Sequence, residues 1–110
     1  MTFKEHQEAN RRAWQRFSES YVATAEIGWQ FGDPKWGIWQ IPESRLHLLP
    51  VDLTAKKCIE IGCGGGYVSS RMARRGGQVI GIDPTPNQLE TAQCLEKEHG
   101  LGVEFIDAFG

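Results

Sequence analysis

The sequence predicts an α/β fold built on a parallel sheet, and three features of its second half carry that expectation. Short apolar runs alternate with helical segments in the order β-α-β-α-β. The run Cys58-Ile59-Glu60-Ile61 leads straight into Gly62-Cys63-Gly64-Gly65-Gly66, and Asp83 closes the next apolar run, Gln78 to Ile82. Strands joined through helices need right-handed crossovers, which places the strands parallel in the order 3-2-1. That is the first half of a doubly wound, Rossmann-like sheet.

Each element has its own local signal. The first strand covers residues 57–61, and a helix carrying Val68, Met72 and Ala73 follows the glycine turn until Gly76-Gly77 stops it. The second strand is 78–83. Thr85 then caps a helix with Pro86 at its first position and Gln88 completing a capping box; Leu89, Ala92 and Leu95 face the sheet, and His99-Gly100 ends it. The third strand covers 102–107.

The first half differs in texture. Residues 3–21 are rich in helix formers, with Trp14, Phe17 and Tyr21 on one face. Residues 22–41 read as irregular but packed, because Gly28, Gly32, Asp33-Pro34 and Gly37 punctuate a stretch holding Trp29, Phe31, Trp36 and Trp39. Pro42-Glu43-Ser44 opens a short helix whose Leu46 and Leu49 turn inward before Pro50 stops it. The chain thus divides into a helical, aromatic cap over 1–52 and a β-α-β-α-β half-domain over 53–110.

Composition narrows the function classes. With 110 residues, 40% hydrophobic and 24% charged, the chain holds one globular unit with a modest core. A formal net charge of -2 leaves no cationic excess for a phosphate backbone, which speaks against nucleic acid and for a small-molecule partner. Cys58, Cys63 and Cys94 lack metal or redox-pair spacing and read as free thiols in a reducing compartment. No apolar run is long enough for a membrane, and the start Met-Thr-Phe-Lys-Glu-His carries no secretory signal, so the cytoplasm is the expected location. His6, His47 and His99 are scattered and expected at the surface.

A glycine turn after a strand says little alone, because any tight strand-to-helix connection favours residues that tolerate positive φ. Glu60 adds to it, since a carboxylate near the end of an apolar strand implies a polar ligand or a hydrogen-bond duty. Asp83 stands at the end of the neighbouring strand, where an acid accepts hydrogen bonds from ribose hydroxyls. A nicotinamide or flavin site shares this geometry, but its fingerprint would place Tyr67 where a third small residue belongs. A P-loop is excluded, because no Gly-Lys-Ser/Thr follows.

The run Glu60-Ile61-Gly62-Cys63-Gly64-Gly65-Gly66, with Gly81-Ile82-Asp83-Pro84-Thr85-Pro86-Asn87-Gln88-Leu89 after it, resembles the class I S-adenosylmethionine-dependent methyltransferases. The resemblance implies an enzyme whose cofactor is S-adenosylmethionine. It places Gly62, Cys63, Gly64 and Gly66 at the cofactor's methionine part, Glu60 as the group orienting that end, and Asp83 on the ribose diol. Asp107, with the backbone of Ala108, matches the acid after strand three that meets the adenine amino group, and Pro84 either stacks on adenine or only shapes the turn. Tyr67 either lines the pocket or covers the helix start. In the cap, Tyr21, Trp36 or Trp39 would shield the sulfonium, whose charge suits an aromatic wall, or would simply pack on the sheet.

Methyl transfer from a sulfonium is an in-line displacement that depends mainly on alignment and exclusion of water, so no catalytic base is named. The acceptor expected is a small molecule. Family members continue to a wider sheet, so the first strand's outer edge is expected to be exposed, awaiting either a missing carboxyl-terminal half or a homodimer partner. Two alternatives stand beside the enzyme: a non-catalytic module that binds the cofactor or its demethylated product and completes its sheet by dimerisation, and an NAD-binding oxidoreductase fragment.

Overall fold

The computed structural model describes residues 2–17 and 22–109, with side chains outside 14–24. Tyr21 lies outside the described residues, and the side chains of Trp14 and Phe17 are likewise not described. Helices α1 (Phe3–Phe17) and α2 (Val22–Trp29) come first. Then follow a two-residue antiparallel ladder of β1 (Lys35–Trp36) and β2 (Ile41–Pro42), and the single turn α3 (Glu43–Leu46). The second half alternates β3 (Lys57–Ile61), α4 (Tyr67–Arg74), β4 (Gln78–Asp83), α5 (Pro86–His99) and β5 (Glu104–Asp107).

The sheet is parallel in the order β3-β4-β5, as the alternating pattern predicts. Ile61 pairs with Ile82 and Asp83 with Asp107, so the carboxyl ends of the strands finish nearly level. Successive side chains point to opposite faces. On one face α2, α4 and α5 cover Cys58, Val79 and Phe105, which pack with Ala25, Leu95, Val103 and the fully buried Trp29. The other face carries the cross-strand pairs Ile59–Ile80, Ile61–Ile82 and Ile82–Ile106. Ile59 and Ile61 are 57% and 63% exposed there, and β3 pairs on one side only among the described residues.

Several local expectations are corrected. Residues 22–29 are helical rather than irregular because α2 has α4 and α5 to pack on, and that packing outweighs the weak propensity of Val22, Thr24 and Ile27. Gly28 is tolerated within α2 for a packing reason: a Cβ there would run into the Tyr67 ring. Of the aromatic residues that follow, Trp29 is buried and Trp36 half-buried, while Phe31 and Trp39 are exposed. Leu46 is also exposed. His47, at φ 54, ends α3 after one turn, and the buried residue of that turn is Glu43 instead.

Glu43 is the bolt of the cap. Its carboxylate accepts from the backbone N–H of Leu48 at 2.6 Å and Leu49 at 3.0 Å and from Trp36 Nε1 at 3.2 Å, and it pairs with Arg75 at 3.0 Å. Arg75 also donates to the carbonyls of Leu49 and Pro50. The α3 loop is thereby fastened to the end of α4.

Candidate functional site

The glycine turn is built from below. Gly62 and Cys63 both donate their N–H to Ile82 O, at 2.7 and 2.9 Å, and Gly66 N–H returns to Cys63 O. Gly62, Gly64 and Gly66 all take positive φ, at 75°, 54° and 85°, a region that side chains strain to occupy. Their surroundings divide them. Among the described residues, a Cβ on Gly62 would meet nothing within 4 Å, and one on Gly64 would meet only the end of Gln88 at 3.9 Å. A Cβ on Gly66 would strike Phe105 at 2.8 Å and Trp29 at 2.9 Å, and one on Gly65 would strike Ala25 at 2.7 Å. Among the described residues the first two glycines therefore leave their backbone uncovered, while the latter two make room for α2 and β5.

Asp83 braces this turn. It is 8% exposed, and its Oδ2 accepts from Gly64 N–H while its Oδ1 accepts from Thr85 N–H, both at 2.9 Å. The expected capping box therefore does not form: Thr85 makes no side-chain cap, its N–H is taken by Asp83 rather than by Gln88, and Gln88 is turned to Gly64. Each carboxylate oxygen retains a second lone pair for a ligand. Glu60 sits one strand over, its Oε1 accepting from Ser69 N–H at 2.9 Å and Ser69 Oγ at 2.7 Å. Burial pushes its carboxyl above the ordinary range; the two Ser69 bonds oppose that rise, and the Asp83 charge adds to it. Cys63 is buried, and its thiol is pushed up to about 12 by burial first and then by the charges of Glu60 and Asp83, so it is no nucleophile.

A cleft of about 340 Å³ opens above the turn, lined by Ile61, Gly62, Gly64, Asp83, Pro84 and Thr85 of the sheet ends, with Asn10, Gln88 and Phe109 around them. Gly62, Gly64, Asp83 and Pro84 are thus brought together as the sequence suggests. Cys63 and Gly66 face the protein interior, and Glu60 lies behind the turn on Ser69. Asp107 ends β5 beside the cleft and receives both its bonds from Arg11 Nη1, at 2.8 and 3.0 Å. Ala108 N–H donates to Asp83 O at 3.3 Å, and the Arg11 guanidinium lies 5.4 Å from the Phe109 ring.

Sequence reasoning missed Asn10, Arg11 and Phe109. Nothing in the helical pattern of α1 distinguishes the first two, whereas an aromatic residue just beyond a strand-end acid is a signal that was there to read. Trp36 and Trp39 line neither this cleft nor its larger neighbour, which borders Tyr67 and Gly64. His99 is half-buried rather than superficial, its ring 5.8 Å from that of Trp29. Among the described residues no cluster of His, Cys, Asp and Glu fits a metal, and no helix is long and apolar enough to cross a membrane.

The profile of the family described as "Methyltransferase domain" matches residues 58–109. The ubiquinone biosynthesis O-methyltransferase of Histophilus somni is 36% identical over 90 residues, covering 79% of this chain and 38% of that one. The enzyme of the same name from Pseudomonas fluorescens is 46% identical over 55 residues, 50% of this chain and 24% of its own. The chain therefore spans less than two fifths of the length of these curated relatives. In fold, it is similar to phosphoethanolamine N-methyltransferase 1 of Haemonchus contortus, solved with phosphoethanolamine and S-adenosylhomocysteine, at a TM-score of 0.64 and 18% identity over 100% of this chain and 22% of that one. Sequence over the strand-turn-strand unit and fold over the whole chain agree, and the segment 58–109 belongs to the class I methyltransferases, the family whose cofactor is S-adenosylmethionine.

Proposed function

We propose that the protein is a methyltransferase that binds S-adenosylmethionine in the cleft over Gly62 and Gly64 and passes its methyl group to a small molecule. The observation that carries this reading is the bare, positive-φ backbone of Gly62 and Gly64 beside the buried carboxylate of Asp83. A ligand can approach that backbone closely, and Asp83 has lone pairs to offer a ribose diol. Pro84 and Phe109 supply apolar surface for a purine, and Asp107 with Ala108 stands at the edge where its amino group would lie. Glu60, behind the turn, holds Ser69 and with it the start of α4.

The electrostatics favour this cofactor over its rival. The acids at the cleft, Asp83 and Glu60 behind it, suit a ligand bearing a sulfonium and an ammonium group, whereas a nicotinamide dinucleotide would bring two more negative charges. The bound cofactor supplies the electrophilic methyl group. The chain's own part is to orient it and to keep water off, and Asn10 of α1, reaching the cleft while Arg11 pins that helix to Asp107, contributes a wall for that purpose. A reducing location, the cytoplasm, suits the free thiols Cys58, Cys63 and Cys94.

Calorimetric titration of the chain with S-adenosylmethionine, S-adenosylhomocysteine and NAD tests the reading. Saturable binding of the two sulfur compounds, and none of NAD, is expected. A folded chain that binds NAD in preference, or neither sulfur compound, sinks the assignment. A second reading, a non-catalytic module that binds the same ligands and dimerises, is favoured by the open edge of β3 and the exposed Ile59 and Ile61. Light scattering that finds only monomer removes it.

A further inference from the structure

A second hollow of about 600 Å³ lies between the segment running from α2 to β2 and the N-terminal half of α4. Gly64 and Gln88 line both this hollow and the cleft over the glycine turn, so the two adjoin at these residues. Its lining combines apolar surface, from Ile27 and Phe31, with the ionisable groups Asp33, Lys35 and Arg71. Two positive groups against one negative leave a net positive charge. Asp33 is occupied, because its two oxygens accept from Ser44 N–H and Ser44 Oγ, and the Ser44 bonds hold its carboxyl below the ordinary range.

Arg71 is the unusual member. It is 7% exposed, deeper than a guanidinium ordinarily lies, and its Nη1 donates to Gly32 O at 2.9 Å while its carbon centre stands 5.6 Å from the Tyr67 ring. Its Nε is buried with no partner among the described residues, as are the Nε atoms of Arg11 and Arg74, and of these three only Arg71 lines the hollow. A buried guanidinium short of acceptors is matched by an oxyanion, which it binds with charge-assisted hydrogen bonds.

We infer that this hollow is the acceptor site, and that the acceptor is a small, partly apolar molecule bearing a carboxylate that pairs with Arg71 and Lys35 while its apolar part lies on Ile27 and Phe31. The inference rests on the methyltransferase reading. A carboxylate has one other source in the same reaction, the methionyl end of the cofactor, and the test separates the two.

The full chain, labelled with ¹⁵N, is titrated with benzoate and with benzamide, its neutral analogue, following the Arg71 side-chain Nε–H and the Gly65 amide by NMR. Benzoate is expected to shift both signals to saturation and to bind at least about tenfold more tightly than benzamide, a factor of the order one charge-assisted pairing supplies. Arg71→Met and Lys35→Ala each weaken benzoate, and Arg71→Lys recovers part of the loss. Equal binding of benzoate and benzamide overturns the inference, as does unchanged benzoate affinity in the exposed-site variant Lys35→Ala together with Arg71→Met. If Arg71→Met weakens S-adenosylhomocysteine but not methylthioadenosine, which lacks the carboxylate, the charge belongs to the cofactor and the acceptor assignment falls. If the parent chain binds no S-adenosylhomocysteine yet still prefers benzoate, the acid site is supported and the methyltransferase reading is what fails.

Discussion

Replacing Asp83 by asparagine separates the two duties that the structure gives this carboxylate. In the folded chain it accepts from Gly64 N–H with one oxygen and from Thr85 N–H with the other, both at 2.9 Å, at a site 8% exposed. Asparagine keeps the shape but retains only one oxygen. Whichever way the amide turns, its NH₂ group faces one of the two backbone donors, so one charge-assisted bond is lost and a buried N–H is left opposite another donor. Hydrogen bonds to charged groups contribute about 1.5–3 kcal/mol each, so Asp83→Asn is expected to destabilise the chain by about 2 kcal/mol. A ribose diol would lose its charged acceptor as well, and affinity for S-adenosylhomocysteine is expected to fall at least about tenfold. Urea unfolding measures the first effect and calorimetry the second. A variant that is destabilised as expected yet binds within about twofold of the parent would show that Asp83 only braces the turn, and the cofactor assignment would be refuted at its central residue.

The other outcomes follow from the same geometry. Gly64→Ala places a Cβ at φ 54° with open space above it, so it should cost about 1–2 kcal/mol in stability while sharply reducing cofactor affinity; Gly66→Ala, striking Phe105 and Trp29 at φ 85°, should cost more, about 2–5 kcal/mol, and urea unfolding in the reverse order refutes the division of the glycines. Glu43 has a carboxyl that burial pushes up but that Leu49, Leu48, Trp36 and Arg75 together hold below its ordinary 4.5. A depressed folded value stabilises above the unfolded one and is lost as pH falls through the folded one, so stability should decline with acid below about pH 5 and Glu43→Gln, destabilised by about 3 kcal/mol, should flatten that decline. Cys63, with its thiol at about 12 and 5% exposed, should resist iodoacetamide at about pH 8 under native conditions while the exposed Cys94 reacts, as peptide mass mapping would show.

What could be read from the sequence was local or periodic. The strand order, the glycine turn and the position of Asp83 follow from apolar runs of strand length, crossover handedness and residues whose backbone preferences are strong. The roles within the turn could not be read, because they depend on what stands opposite each α-carbon: Gly64 faces a cleft, and Gly66 faces Trp29, which arrives from far earlier in the chain. Glu43 escaped for the same reason. A glutamate at the start of a short helix looks like a solvated first-turn acid, and only the fold brings Arg75 to it from the end of α4. The aromatic content of the cap misled in the opposite direction, since Trp29 is the aromatic that joins Ala25 in the core, while Trp39 stays outside.

The position of the cleft relative to the sheet makes a further physical point. Its lining draws on the carboxyl ends of β3 and β4, and Ile61, whose neighbours Gly62 and Ile82 form the first bond of the turn, belongs both to the cleft and to the exposed isoleucine face. Full burial of an isoleucine contributes about 1.5–3 kcal/mol; with Ile59, Ile61 and Ile106 exposed by 57%, 63% and 39%, a cover over all three would add about 2–5 kcal/mol. That cover would also hold the ends of β3 and β4 in register, and register is what keeps Glu60, Gly62, Gly64 and Asp83 at their working distances. On the proposed cofactor site, a substitution at Ile61 is therefore expected to lower both stability and cofactor affinity, whereas one at Val79, on the helix-covered face, is expected to act on the core alone.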